Sequence, residues 1–252
     1  REIVPWTLWG GVACMVTSGL LQFFMEWKSI IRAFRGLTGM FSRKKGAQDP
    51  MEAIESPAWW FFAGQLIALT ALAWLAHRSF QMPLWQSTLA VILSFFLALV
   101  ACRVTGETDT TPTGAMGKVT QLIFGVLSPG NMNVNLMSAN ITSSAAIGSA
   151  DLLTDLKSGY LLGANPRKQF LAQFAGIFVG TLATVLCWRA LVPDASAIGN
   201  DQFPAPAAQT WKAVALAMSK GLSSLEPLKI WSLAAGGLLG IVLPVLSARM
   251  PK

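Results

Sequence analysis

Charge is what this sequence has least of. Of 252 residues only 12% are Asp, Glu, Lys or Arg, whereas 53% are hydrophobic and the mean hydropathy is +0.52. Soluble domains carry about 25% charged residues, so this is read as an integral membrane protein. Histidine occurs once, as His77 at the end of an apolar run. The three cysteines, Cys14, Cys102 and Cys187, lie far apart inside apolar runs, without CxxC or Cys/His spacing. That scarcity offers neither a metal-ligand set nor a disulfide framework, and the cysteines read as small packing residues. No cofactor and no metal is expected. An enzyme is not expected either: the histidine is peripheral, and no Ser/Lys or Asp/Asp pair falls in a recognisable motif. The apolar runs lack the alternation of barrel strands. The chain opens on REIVPW, without Met or a signal-peptide pattern, and is expected to be an excerpt from, or a processed form of, something longer.

What is present is a series of long apolar runs rich in Leu, Ala, Gly and Trp. They predict spans over about Ile3 to Met25, Trp59 to Ala76, Trp85 to Cys102, Gln169 to Val192 and Leu228 to Ala248. The net charge of +7 sits at the ends of these runs and not in a patch with stacking aromatics, which fits membrane topology and excludes nucleic acid as a partner. Residues 26–58 hold Lys28, Arg32, Arg35, Arg43, Lys44 and Lys45 and read as a cytoplasmic amphipathic helix followed by a loop. Small residues at four-residue spacing, Ala172, Gly176, Gly180 and Thr184, predict close approach of a neighbouring helix, as do Gly236 and Gly240. Residues 193–227 read as an outside loop with a weakly amphipathic piece at Trp211 to Leu222.

Residues 103–168 differ from the rest. Polar and charged groups crowd there, and no uninterrupted apolar helix of about 20 residues occurs. Two short pieces, Val119 to Leu127 and Leu136 to Ala150, predict a pair of short or broken, re-entrant-type helices. Irregular backbone at membrane depth persists only where protein or a water-filled cavity covers it, so this stretch is expected to line a solute pathway. The fold class is therefore all-α: a polytopic helical membrane protein with about five full spans plus that pair, forming a single transmembrane domain over 1–252.

Carboxylates at a membrane span are costly, about 2.5 to 3.5 kcal/mol at mid-bilayer on insertion scales. Glu107 and Asp109 are accordingly candidate proton carriers, and Lys118 is near enough in sequence to pair with either. Their alternative reading is a cytoplasmic loop that caps the helix starting near Gly114. PTGAMGK has glycines before a lysine but lacks the strand and the spacing of a phosphate-binding loop, so nucleotide binding is rejected. The asparagines Asn131, Asn133, Asn135 and Asn140 offer donors and acceptors without charge. If NMNVN is extended, three amides lie along one edge and can hold a solute. The alternative is that they satisfy broken backbone and join helices. In GANPRKQF, Asn165 and Arg167 are candidate solute contacts beside a default topology role for Arg167 and Lys168.

The runs GETDTTPTGAMGKVTQLIFG and NVNLMSANITSSAAIGSADLLTDLKSGYLLGANPRKQFLAQ resemble the oligopeptide transporter (OPT) superfamily, closest to its bacterial members and the yellow-stripe-like branch. There the pattern reads GxTDxxPxGxxGKxTQ, then an Asn-rich segment, an acidic piece and a GAxPRKQ turn. The fungal and plant peptide-transporting branch carries KIPPR where this chain has GANPRK. The resemblance implies part of the later half of a longer transporter that moves short peptides or metal chelates, usually with protons. It matches motif positions at Glu107, Asp109, Lys118, Asn133, Asn135, Asp151, Asp155, Asn165, Arg167 and Lys168. The resulting expectation is a proton-coupled, alternating-access carrier in a cell membrane, the bacterial inner membrane by this resemblance. Its partners would be a small-molecule substrate, protons, the lipid bilayer and the remaining spans of the parent transporter, with a homo-oligomer left open. The alternative is a channel or a non-transporting packing subunit.

Overall fold

The computed structural model describes residues 3–25, 27–28, 30–32, 54–192, 194–199, 203–220 and 226–249. Eight α-helices carry them: α1 (Ile3–Met25), α2 (Ala58–Phe80), α3 (Leu84–Thr108), α4 (Thr113–Leu127), α5 (Met132–Leu161), α6 (Pro166–Leu191), α7 (Pro206–Lys220) and α8 (Pro227–Arg249). The protein is a polytopic helical membrane protein. α2, α3, α6 and α8 are each long and apolar enough to cross a bilayer, and α1 has a shorter apolar stretch, Trp9–Met25. Most of the expected cytoplasmic helix and loop at 26–58 lies outside the described residues; within it, 27–28 and 30–32 are helical.

Local sequence sets the breaks between helices. Pro57 and Pro83 precede α2 and α3, where a missing amide hydrogen does no harm. Asp109 ends α3 in the left-handed region at φ 56°, its amide donating to the Thr105 carbonyl at 2.9 Å. Gly130, at φ 82°, turns the SPGN link between α4 and α5. Asn131 and Asn165 cap α5 and α6, each accepting a bond from the amide three residues on: Val134 at 3.1 Å and Lys168 at 3.2 Å.

α1 and α8 pack most closely. A Cβ placed on Gly236 would lie 2.0 Å from the Gly10 carbonyl oxygen, and one on Gly240 would lie 2.4 Å from that of Cys14. Both contacts advance by four residues, so the two helices run parallel, and the Gly236/Gly240 pair does what small residues at this spacing predict. α4 and α5 run antiparallel between α3 and α7. One apolar cluster joins Val100, Ala101 and Val104 of α3 to Met116 and Ala146; another joins Ala90 to Phe124 and Val134.

Three elements differ from the sequence reading. Of the expected short pair, α4 is short at 15 residues, but α5 is a continuous helix of 30 residues that runs past Ala150 to Leu161. Asp151, Asp155 and Lys157 end the apolar run at Ala150, but the helix continues through them and packs through small side chains such as Ser138, Ala139, Thr142 and Ala146. The stretch read as an outside loop contains α7, whose Trp211 lies against Gly117 and whose Met218 lies against Gly125. The two glycines make room for these side chains, which is why a weakly amphipathic segment is drawn inward. Finally, no residue of α6 is buried, and a Cβ at Gly176 or Gly180 would meet nothing within 4 Å. The small-residue ladder of α6 faces no helix among the described residues.

Candidate functional site

Where α4 crosses α5, polar side chains meet in the interior. The hydroxyls of Thr120 and Thr142 lie 2.7 Å apart. Gln121 donates from Nε2 to Asn135 Oδ1 at 3.1 Å and to the Trp211 carbonyl of α7 at 3.3 Å, while Asn135 donates from Nδ2 to the Gln121 main-chain oxygen at 2.6 Å. Thr120, Gln121 and Thr142 are wholly buried, and Asn135 is 2% exposed. Among the described residues Gln121 Oε1 has no hydrogen-bond partner. An unpaired buried acceptor costs about 1 to 3 kcal/mol, so this oxygen stands ready for a donor.

Lys118 lies one turn before Gln121 and is 4% exposed. Its Nζ donates to the Gly114 carbonyl at 3.2 Å, and among the described residues it forms no ion pair. Neither carboxylate named from the sequence meets it. Glu107 is instead held by two arginines: Arg32 donates to both of its oxygens, the Nε bond being 2.8 Å, and Arg103 Nε reaches Oε1 at 2.6 Å. Asp109 is exposed at the end of α3, with no ion pair among the described residues.

The asparagines do not form one edge, because NMNVN begins a helix and successive residues point about 100° apart. Asn131 caps, Asn133 is exposed, Asn135 is buried in the Gln121 contact, and Asn140 is exposed with Ser144 donating to its Oδ1 at 3.4 Å. Asn165 caps α6. Arg167 donates from Nε to the Glu55 carbonyl at 2.9 Å and from its amide to the Ile54 carbonyl at 3.2 Å, which ties the start of α6 to the segment before α2. The sequence-named residues thus separate: Lys118 and Asn135 belong to the interior seam, Glu107 and Asp109 to one end of α3, and Asn165 and Arg167 to the α5–α6 turn.

The profile of the OPT oligopeptide transporter protein family matches residues 3–252. The chain belongs to this family. Among OPT relatives, a Saccharomyces cerevisiae protein named for oligopeptide transport is 36% identical over 173 residues, 66% of this chain and 22% of the yeast protein. Oligopeptide transporter 4 of Arabidopsis thaliana is 29% identical over 136 residues, 52% of this chain and 18% of the plant protein. An Arabidopsis thaliana protein named for metal-nicotianamine transport is 25% identical over 251 residues, 85% of this chain and 34% of its own length. The OPT chain described here therefore spans about a fifth to a third of the length of these relatives.

Gln121, Thr120 and Thr142 are neither acids nor asparagines and are not marked by charge in the sequence. The available signal was a glutamine in the apolar run KVTQLIFGV, three residues after a lysine and so on the same face of a helix. Trp211 had no such signal, since its place depends on a glycine ninety-four residues earlier in the chain.

Proposed function

We propose that this chain forms part of a secondary active OPT transporter that moves short oligopeptides or metal chelates across a cell membrane by alternating access, with protons as the coupled ion. The observation that carries the proposal is the buried ammonium of Lys118, which forms no ion pair among the described residues, on the same helix as Gln121, whose Oε1 has no partner among them. A buried charge is normally paired. A solute carboxylate supplies the missing partner, and a solute N–H satisfies the glutamine oxygen. Peptides and amino-acid-derived chelates bear both groups. Asn133 and Asn140 present further amides from α5, and Asn131, Asn135, Asn165 and Arg167 keep the helix ends and the seam in register around the solute. Family relatives named for peptide and metal-nicotianamine transport support the same solute class.

Protons are assigned to the end of α3. Asp109, exposed and outside any ion pair among the described residues, takes up and releases the proton, and Glu107 senses it through the arginine clamp. Alternating access then consists of α4 and α7 moving as a unit against α5, exposing the seam to one side at a time. The test is uptake of labelled di- to hexapeptides and iron chelates into proteoliposomes of the full-length transporter, with and without an inward proton gradient. Gradient-driven uptake that is lost in Asp109→Asn supports the account. Uptake indifferent to gradient and substitution favours a channel or facilitated diffusion.

A further inference from the structure

Between α5 and α6 runs an open groove of about 430 Å³, whose lining includes Asp151, Asp155, Gln173 and Gly176. Two carboxylates dominate its polar lining, beside the amide of Gln173. Among the described residues Asp151 has no hydrogen bond or ion pair. Asp155 receives a single side-chain bond, from Gln173 Nε2 to Oδ2 at 3.0 Å, and Gln169 Oε1 is buried without a partner one turn along the seam. Two carboxylates four residues apart on one helix repel each other. Charged groups along membrane helices face protein or water rather than lipid. Yet α6 is apolar enough to cross a bilayer and has no buried residue, so within this chain the groove lies open on its flank.

On the helical wheel Gly176 and Gly180 share the arc of Gln169 and Gln173, which bond to Asp155, so the stripe of Ala172, Gly176, Gly180 and Thr184 looks into the groove. A Cβ at Gly148, Gly176 or Gly180 would meet nothing within 4 Å, which leaves room for a helix at close distance. This chain spans about a fifth to a third of its relatives' length. From two carboxylates with no cationic partner among the described residues, small-residue clearance and the relatives' greater length together, we infer that this groove is the docking surface for a transmembrane helix from the part of the longer transporter outside residues 1–252, one that brings an Arg or Lys side chain to Asp151 and Asp155. The surface is distinct from the Lys118 seam and does not depend on which solute is carried.

The test uses the full-length transporter with Cys14, Cys102 and Cys187 replaced by alanine. A benzophenone maleimide is attached to Gly176→Cys or Gly180→Cys on the stripe, or to Leu182→Cys or Val185→Cys on the opposite face of α6. After irradiation in membranes, the stripe positions are expected to crosslink within one chain to a peptide outside residues 1–252, at several-fold the yield of the controls. In Asp151→Asn/Asp155→Asn that yield is expected to fall. Crosslinks from the stripe to lipid alone, or to a second copy seen as a dimer band, overturn the proposal. A yield unaffected by the double Asp→Asn change overturns its charge recognition. A Cβ at Gly176 or Gly180 meets nothing within 4 Å, and detergent-stable expression of each labelled variant checks that the fold is kept.

Discussion

Gln121 and Asn135 hold each other reciprocally: the glutamine amide donates to the asparagine side chain at 3.1 Å and the asparagine amide returns a bond to the glutamine main chain at 2.6 Å. Both are buried, so each replaces the water the other would otherwise need. Removing one partner leaves unpaired polar atoms inside, worth about 1 to 3 kcal/mol. Gln121→Ala and Asn135→Ala are each expected to lower thermal stability in detergent, and the double variant to lose less than the sum, with a coupling of about 0.5 to 3 kcal/mol. Strict additivity in the four-way comparison would show that the contact does not join α4 to α5.

The parallel α1–α8 contact rests on the absence of two side chains. Gly236→Ala places a methyl 2.0 Å from the Gly10 carbonyl oxygen, where the backbone has no room to yield. A loss above the usual 1 to 3 kcal/mol of overpacking, about 3 kcal/mol or more, is expected. Gly19→Ala, on the same pair of helices but with nothing within 4 Å, is expected to be neutral or slightly stabilising, since alanine favours a helix by about 1 kcal/mol. Melting curves of the two variants side by side decide this; equal losses would refute the close approach.

Gly117 and Trp211 make a matched pair of the opposite kind. A methyl on Gly117 would overlap the Trp211 ring at 2.1 Å, but a side chain can be cut back where backbone cannot. Gly117→Ala is expected to destabilise, and Trp211→Ala in the same chain to recover part of the loss. Fluorescence of Trp211, with the other tryptophans replaced by phenylalanine, should shift to the red in Gly117→Ala as the ring leaves its slot. An unshifted spectrum would place the ring elsewhere.

Much of this architecture could be read from hydropathy and charge alone. The helices α1, α2, α3, α6 and α8 follow from apolar runs bounded by basic residues, and the turns from Pro57, Pro83 and Gly130. What escaped is interior polarity. Asp151, Asp155 and Lys157 close the apolar run at Ala150 although the helix continues to Leu161, and inside it Ser138, Thr142 and Ser143 bond to their own backbone or across the seam. α7 overlaps the weakly amphipathic piece at Trp211 to Leu222, but its burial is set by Gly117 and Gly125, glycines on another helix. Glu107 was named for its charge, but its two arginine partners come from different stretches of the chain, and only folding brings Arg32 to it.

That clamp yields its own prediction. Glu107 ties the described helical residues 30–32 to the end of α3 through half-exposed Arg32, while Arg103, also half-exposed, pairs with it within α3. Each exposed pair contributes little, about 0 to 1 kcal/mol, so Glu107→Gln is expected to leave global stability nearly unchanged while it loosens the attachment of 30–32. Amide exchange at 30–32 should rise several-fold in Glu107→Gln and in Arg32→Gln and stay unchanged across the α4–α5 seam. A matching rise in the seam would mean that the clamp supports the whole bundle.

The buried ammonium of Lys118 is the centre of this account, and one comparison tests it most directly. In proteoliposomes of the full-length transporter, uptake of a peptide with a free C-terminal carboxylate is measured against the same peptide as its amide, in the original protein and in Lys118→Met. A charge-assisted hydrogen bond is worth about 1.5 to 3 kcal/mol, so Lys118→Met is expected to raise KM for the free peptide by about 10-fold to 100-fold and to remove the preference over the amide. If Lys118→Met leaves the preference between acid and amide intact, Lys118 does not hold the solute carboxylate and the proposed site is wrong.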